Sequence, residues 1–303
     1  MKDSGHYFTY KVEMASSKRS FYVYRPSSLE HPKDNSVMFI KEKMINAWRV
    51  FTSVRDCLIF WPQTVAVPNE LKDLHEIVTC NNPRLAYCKF FESKQIKNNP
   101  PKEQYKVVDG AYIAIGATVA EDAVIMPGVY IGGDVTIESG TYIGAGSKII
   151  GRVSCGKNVV IQENVVIGSD GRTTERDEMG KIMSMPQFGG IVIGDNVEIG
   201  ANTVIERGAI DDTVLLEGCK IDCQCLIGHN AVLGKDSLMV AGAILLGSVH
   251  TGEQAYFSGN AIVRNQLLVG SNATIGMGAV VTKAVPDNVV VYGNPARPKE
   301  QEK

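Results

Sequence analysis

Large rings are scarce in this sequence. Aromatic residues make up 7% of 303 positions and only two are tryptophan. This argues against a core built on bulky side chains and for a fold of tight turns and narrow walls. Excess charge is absent too. The chain has 31 Lys+Arg against 33 Asp+Glu, a formal net charge of -2, so nothing electrostatic points to a nucleic-acid or anionic-membrane partner. No apolar run is long enough to make a transmembrane segment, and the opening MKDSGHYFTYKVEM lacks the apolar centre of a secretory signal. Seven cysteines, an odd count, stand without paired CxxC spacing: Cys57, Cys80, Cys88, Cys155, Cys219, Cys223 and Cys225. They read as reduced thiols of a cytoplasmic protein, and the last three as small apolar packing rather than metal ligands.

What is abundant is glycine, 30 residues, and a period. Residues 1–96 are irregular and hold most of the aromatics. KNNPPKEQ (97–104) follows as a proline-stiffened linker. From Val107 every sixth residue to Ile167 is apolar: Val107, Ile113, Val119, Ile125 and so on. A polar stretch, 169–188, interrupts the phase. It resumes at Ile193, Ile199 and Ile205, pauses over four extra residues before Leu215, and then runs to Val281 with Thr251 as its one polar step. A helical period scatters such residues and a flat strand alternates by two. A step of six suits a short strand plus a turn, three of which make a triangular coil of 18. Coils stack as parallel strands about 4.8 Å apart with the anchors inside, and the Gly, Asn and Asp of strings such as IGDNVEIGAN serve the turns. Between 8 and 9 such coils fit the chain.

This repeat resembles the hexapeptide signature of the left-handed parallel β-helix, and the handedness is taken from that resemblance. The expected fold is mainly β: a small α/β domain with linker (1–104), a β-helix domain (105–285) carrying the loop 169–188, and a C-terminal tail (286–303). In the first domain, strands are expected near 36–40, 57–61 and 76–80, with helices near 42–54 and 83–93. Its candidate role is nucleotide binding, although it has no glycine-rich phosphate loop.

The stretch MPQFGGIVIGDNVEIGANTVIERGAIDDTVLLEGCKIDCQCLIGHN (185–230) is similar to the corresponding part of the UDP-3-O-acylglucosamine N-acyltransferases of lipid A biosynthesis. VMFIKEKM and VTCNNPRLAYCKFFE resemble that family's nucleotide-binding domain more weakly. The resemblance implies an N-acyltransferase that moves an acyl group from a thioester to the amino group of a nucleotide-linked amino sugar, in a homotrimer whose neighbouring subunits complete each cleft. Three departures point to a different sugar and a shorter acyl chain, with acyl-CoA favoured over acyl carrier protein. Glu42 and Ile45 stand where the family has uracil contacts. Arg264-Asn265-Gln266 stands where it has a second histidine. The ending VPDNVVVYGNPARPKE is similar to that of acetyl-CoA-using hexapeptide enzymes. Lipid A synthesis with acyl carrier protein is the alternative. A non-catalytic β-helix scaffold and a zinc carbonic anhydrase of the same fold, which needs three histidine ligands, are readings of other classes.

The candidate site centres on LIGHNAVLG (226–234). The repeats contain only two histidines, His229 and His250. Attack by an amine needs a base near neutral pKa, for which histidine is the usual choice, and the tetrahedral oxyanion needs a donor such as a backbone N–H. One coil above His229 is Gly247, whose amide no side chain of its own covers and which the resemblance makes the oxyanion donor. Two coils above is Asn265. Counting back 18 gives Asp211 in GAIDDT, a candidate partner for the other imidazole nitrogen. Asn230 either orients His229 or touches substrate. Gln266 and, in the loop, Arg172 are candidate substrate contacts. Phe39 either stacks on a nucleobase or belongs to the core. Lys283, Arg297 and Lys299 are candidates for the phosphates of CoA, and no metal site is expected. His250 reads as a wall or surface residue.

Overall fold

A computed structural model describes residues 6–15, 19–96 and 103–298. Most of the linker, and Lys299, lie outside them. The described chain forms two compact units. One comprises the N-terminal residues together with 172–188, and the other is built from 100–171 and 189–303.

In the N-terminal unit, Arg25–Pro26, Ser36–Phe39, Leu58–Pro62 and Glu76–Cys80 form a four-stranded sheet in that order, all parallel. Strand Leu58–Pro62 is buried throughout, as a strand covered on both faces must be. A 3-10 helix spans Glu42–Ser53 and an α-helix Pro83–Ser93. The α-helix starts where Asn82 accepts the Leu85 N–H and Pro83 supplies a pre-set first turn. It buries Leu85, Tyr87, Cys88 and Phe91.

The polar stretch 169–188 is not simply a solvated loop of the β-helix. It contains an antiparallel hairpin, Thr174–Arg176 with Ile182–Ser184, that belongs to the N-terminal unit. Helix Pro83–Ser93 engages it through Arg84 Nε to Glu175 Oε2 at 3.4 Å and Lys89 Nζ to Glu178 Oε2 at 2.7 Å. The Phe188 ring packs 5.1 Å from Phe91 and 5.4 Å from Tyr7. The acidic and apolar residues that break the repeat are therefore those the hairpin uses on its own partners.

In the second unit the anchors fall on three parallel walls in turn. Ile131 pairs with Ile149, Ile137 with Cys155 and Ile143 with Ile161, each anchor with its counterpart one coil on. The interior is one continuous cluster of these residues, each contributing roughly 2 kcal/mol of burial. Cys155, Cys219 and Cys225 are members of it, and burial pushes their thiols up to about 12, 11 and 11. Thr251, the polar step, accepts the Gly234 N–H at 2.8 Å and donates to Gly252 C=O at 3.2 Å, which is how a hydroxyl is accommodated inside. The fold is a left-handed parallel β-helix.

Two boundaries differ from the periodic reading. Val107 is not an interior anchor. It lies in Tyr105–Val108, an antiparallel strand added to the end of one wall, and is 62% exposed; an apolar residue can fall in phase without being in a coil. At the other end the wall continues past 285. Val291 is buried and pairs with Ile275, after which Arg297–Pro298 folds back antiparallel.

His75 gives the N-terminal unit a pH dependence. Its ring is buried, with Nδ1 3.3 Å from the Cys57 N–H that it accepts and Nε2 2.9 Å from Phe51 C=O. Burial holds it below its ordinary value of 6.5. The folded chain keeps the ring neutral where the unfolded chain binds a proton, so the stabilisation is complete above 6.5 and is lost as pH falls below it. Urea midpoints followed by tryptophan fluorescence should fall between about pH 7.5 and about pH 5, and His75→Gln should flatten that fall. A wild-type midpoint that stays constant would contradict this.

Candidate active site

Stacking in register carries chemistry up one corner. Ile205, Ile227, Leu245, Val263 and Val281 lie one above another in a wall. The residues two positions beyond each are Arg207, His229, Gly247, Asn265 and Lys283. His229 and Gly247 are thus neighbours on successive turns. The Ser248 N–H donates to His229 C=O at 2.8 Å and the Gln266 N–H to Gly247 C=O at 3.0 Å.

Counting by 18 fails one coil below. Ile205, and not Ala209, pairs with Ile227. This step is longer than a regular coil, so Arg207 and not Asp211 takes the position beneath His229. Asp211 lies among the extra residues of the insertion, and it reaches the site through its carbonyl, which accepts from Asn230 Nδ2 at 2.7 Å. His229 Nδ1 lies 3.1 Å from Asn230 Oδ1. Ala209 N–H also donates to that oxygen, at 2.9 Å.

The imidazole is held between two bare backbones. A Cβ on Gly247 would stand 2.4 Å from His229 Nε2, and one on Gly171 would stand 2.7 Å from its Cδ2. Glycine is required at both positions to admit the ring. Gly247 needs it for space alone, because its φ lies outside the left-handed region. The His229 N–H donates to Glu206 Oε2 at 3.1 Å. Asn230 adopts φ 59, and its N–H donates to Thr213 Oγ1 at 2.8 Å. The insertion is pinned from outside by Arg207 Nε to Asp170 Oδ1 at 2.6 Å and by Arg152 Nη1 to Asp212 Oδ2 at 3.0 Å.

Of the other sequence candidates, Asn265, Gln266 and Lys283 are exposed. Asn265 and Lys283 continue the His229 column, and Gln266 sits at the next turn position with φ 61. Arg297 is exposed on the terminal hairpin of a different wall, where its Nη1 donates to Ala296 C=O at 3.0 Å. Arg172 is exposed and Phe39 half-buried, both in the N-terminal unit, with the Phe39 ring edge-on to Tyr87 at 5.1 Å. Glu206, Thr213, Arg207 and Gly171 were not singled out by the sequence. The available signal was the lengthened spacing across ERGAIDDT, which marks a coil whose extra residues must go somewhere.

The fold is a β-helix built on hexapeptide repeats. The family model for bacterial transferase hexapeptide (six repeats) matches residues 116–151. The one for the hexapeptide repeat of succinyl-transferase matches 134–169 and 188–210. The chain is similar to proteins named UDP-3-O-acylglucosamine N-acyltransferase. It is 37% identical over 150 residues to one from Caulobacter sp. (strain K31), covering 50% of this chain and 44% of that protein. It is 36% identical over 149 residues to a probable one, described as mitochondrial, from Arabidopsis thaliana, covering 49% of each. The chain therefore spans about half the length of the curated relatives it matches. Among solved structures, LpxA from Acinetobacter baumannii shares the fold with a TM-score of 0.58 at 23% identity, covering 64% of this chain and 73% of that one.

Gly247→Ala tests the geometry. The new methyl has no room beside Nε2, so the ring must move. A displacement of about 1 Å at a reacting group costs on the order of 100-fold in rate. Turnover should fall by about that factor with an unchanged circular dichroism spectrum; full turnover in the folded variant would refute the close approach.

Proposed function

We propose that this chain is an N-acyltransferase. It moves an acyl group from a thioester to the amino group of a nucleotide-linked amino sugar, and the names of its relatives favour UDP-3-O-acylglucosamine as that acceptor and lipid A synthesis as its setting. The observation that carries this reading is the His229 imidazole set directly against the Gly247 backbone.

The chemistry needs little more. The neutral amine attacks the thioester carbonyl, forming the C–N bond. His229 takes the amine proton, the Gly247 N–H donates to the oxyanion, and collapse breaks the C–S bond as the thiol leaves with a proton. The thioester is already activated, so no covalent enzyme intermediate is required. Asn265 and Lys283 continue the column away from His229, with Lys283 three coils on, roughly 14 Å at about 4.8 Å per coil. An extended thiol donor lying along this column would bring its anionic part toward Lys283. Acyl-CoA satisfies this directly, and acyl carrier protein is the alternative donor that the resemblance to lipid A enzymes supports. Phe39 and Arg172 are the candidate contacts to the nucleotide and sugar. The reaction belongs in the cytoplasm, where nucleotide sugars and acyl thioesters are made; no helix among the described residues is long and apolar enough to cross a membrane.

A homotrimer fits the outer surface. On the wall carrying His229 the outward residues Val166, Val204, Leu226, Ile244, Ile262 and Val280 stack in register, a half-buried apolar strip six rows long. Another wall carries the Glu198–Lys220 ion pair at 2.6 Å on its outer face, as a solvated wall does. Covering the apolar strip with identical chains would put each histidine in a crevice between subunits.

Two outcomes follow. Purified protein should consume acyl-CoA or acyl carrier protein thioester with UDP-3-O-acylglucosamine or a related amino sugar, and His229→Ala should lower that rate by roughly 10²–10⁴-fold while remaining folded. Wild-type turnover in His229→Ala would remove the histidine from the mechanism. Leu226→Glu with Ile244→Glu should yield a monomer by light scattering, and a wild-type mass in that variant would exclude this wall as the interface.

A further inference from the structure

The Asn230 amide faces partners that have no choice of role. A backbone N–H can only donate, and that of Ala209 lies 2.9 Å from Oδ1. A backbone carbonyl can only accept, and that of Asp211 lies 2.7 Å from Nδ2. The opposite orientation of the amide would set NH2 against N–H and C=O against C=O. The insertion therefore identifies the oxygen and the nitrogen of this side chain by elementary hydrogen-bond chemistry.

The consequence passes to the neighbouring ring. The same Oδ1 lies 3.1 Å from His229 Nδ1. An amide oxygen accepts and does not donate, so the neutral ring must meet it with Nδ1–H, leaving the lone pair on Nε2. Nε2 is the nitrogen closest to the Cβ position of Gly247. The main chain supports the arrangement: the Asn230 N–H donates to Thr213 Oγ1 at 2.8 Å, and φ 59 is a conformation asparagine tolerates.

We propose that Asn230 is a positioning residue that fixes His229 as the Nδ1–H tautomer, and that the backbone of the insertion, through Ala209 and Asp211, holds Asn230 in the orientation this requires. The sequence leaves Asn230 open between orienting His229 and touching substrate; the geometry points to the first, with the amide acting through the histidine. The role in catalysis rests on the acyl-transfer reading, whereas the tautomer does not. During transfer Nε2 takes the amine proton, and the Nδ1–H···Oδ1 bond persists in the imidazolium, so the ring need not turn between its two protonation states.

The test is spectroscopic first. Protein labelled with ¹⁵N-histidine carries five rings, and the His229 signals are those missing from His229→Ala. Long-range ¹H–¹⁵N correlation in mildly alkaline solution should report a protonated Nδ1 and an unprotonated Nε2 for His229. Asn230→Gly keeps the left-handed backbone without strain and removes the amide. In it the signals should shift toward the Nε2–H form, and kcat should fall by on the order of 10–100-fold, with KM for the nucleotide sugar within about twofold. Wild-type His229 in the Nε2–H form overturns the proposal, whether or not the variant folds. So does an Asn230→Gly protein that keeps the Nδ1–H form and full kcat. A wild-type Nδ1–H ring that switches in Asn230→Gly, in a protein that consumes no acyl thioester, would uphold the positioning role and overturn the acyl-transfer reading instead.

Discussion

Everything in the second unit follows from one closure condition. A coil of the prism closes its backbone hydrogen bonds on the next only if the interior anchors return in register, and three repeats do so without remainder. The chain exceeds that length twice. Ile167 pairs with Ile205, and Ile205 with Ile227, both across more chain than three repeats supply. The ladder itself is kept, so the surplus must leave the wall. Both surpluses leave after an anchor of the same wall, on successive coils, and the next coil bears His229 at the corresponding turn. The first surplus leaves past Gly171, against the imidazole; the second leaves as the insertion that bonds to Asn230.

This explains which features were legible in the sequence. A period sustained over many coils specifies the prism, because every step repeats the same burial decision. His229 was legible as a rare side chain in a monotonous background, and Gly247 because only regular coil separates the two. Asp211 was assigned the wrong place because counting back crosses the irregular coil, where Ile205 stands beneath Ile227. The lengthened spacing marks the irregular coil, but the places of Glu206, Thr213 and Gly171 about the ring are not legible. Their approach to His229 and Asn230 depends on the path of extruded backbone, which no local pattern encodes. Val107 misled for the opposite reason: it keeps phase in a strand that caps the wall rather than continuing it. The hairpin in 172–188 hid its structure because its charged residues have no partner nearby in the sequence: Glu175 and Glu178 pair with Arg84 and Lys89, far earlier in the chain.

On the proposed reading, the site holds the few parts that acyl transfer from a thioester demands. The donor brings its own reactivity, so the protein need supply only a ring nitrogen with a lone pair, an amide for developing negative charge, and a rigid spacing between them. A β-helix provides that spacing from its backbone repeat, and two glycines leave room for the ring. The resemblance of 185–230 to UDP-3-O-acylglucosamine N-acyltransferases takes in the insertion and the histidine together. That stretch is also the one whose geometry carries the functional reading.

The most direct measurement is a crystal structure of the protein with its amide product bound. The product carbonyl oxygen should lie within hydrogen-bond distance of the Gly247 N–H and the product amide nitrogen beside His229 Nε2. Well-ordered product located away from both groups would contradict this.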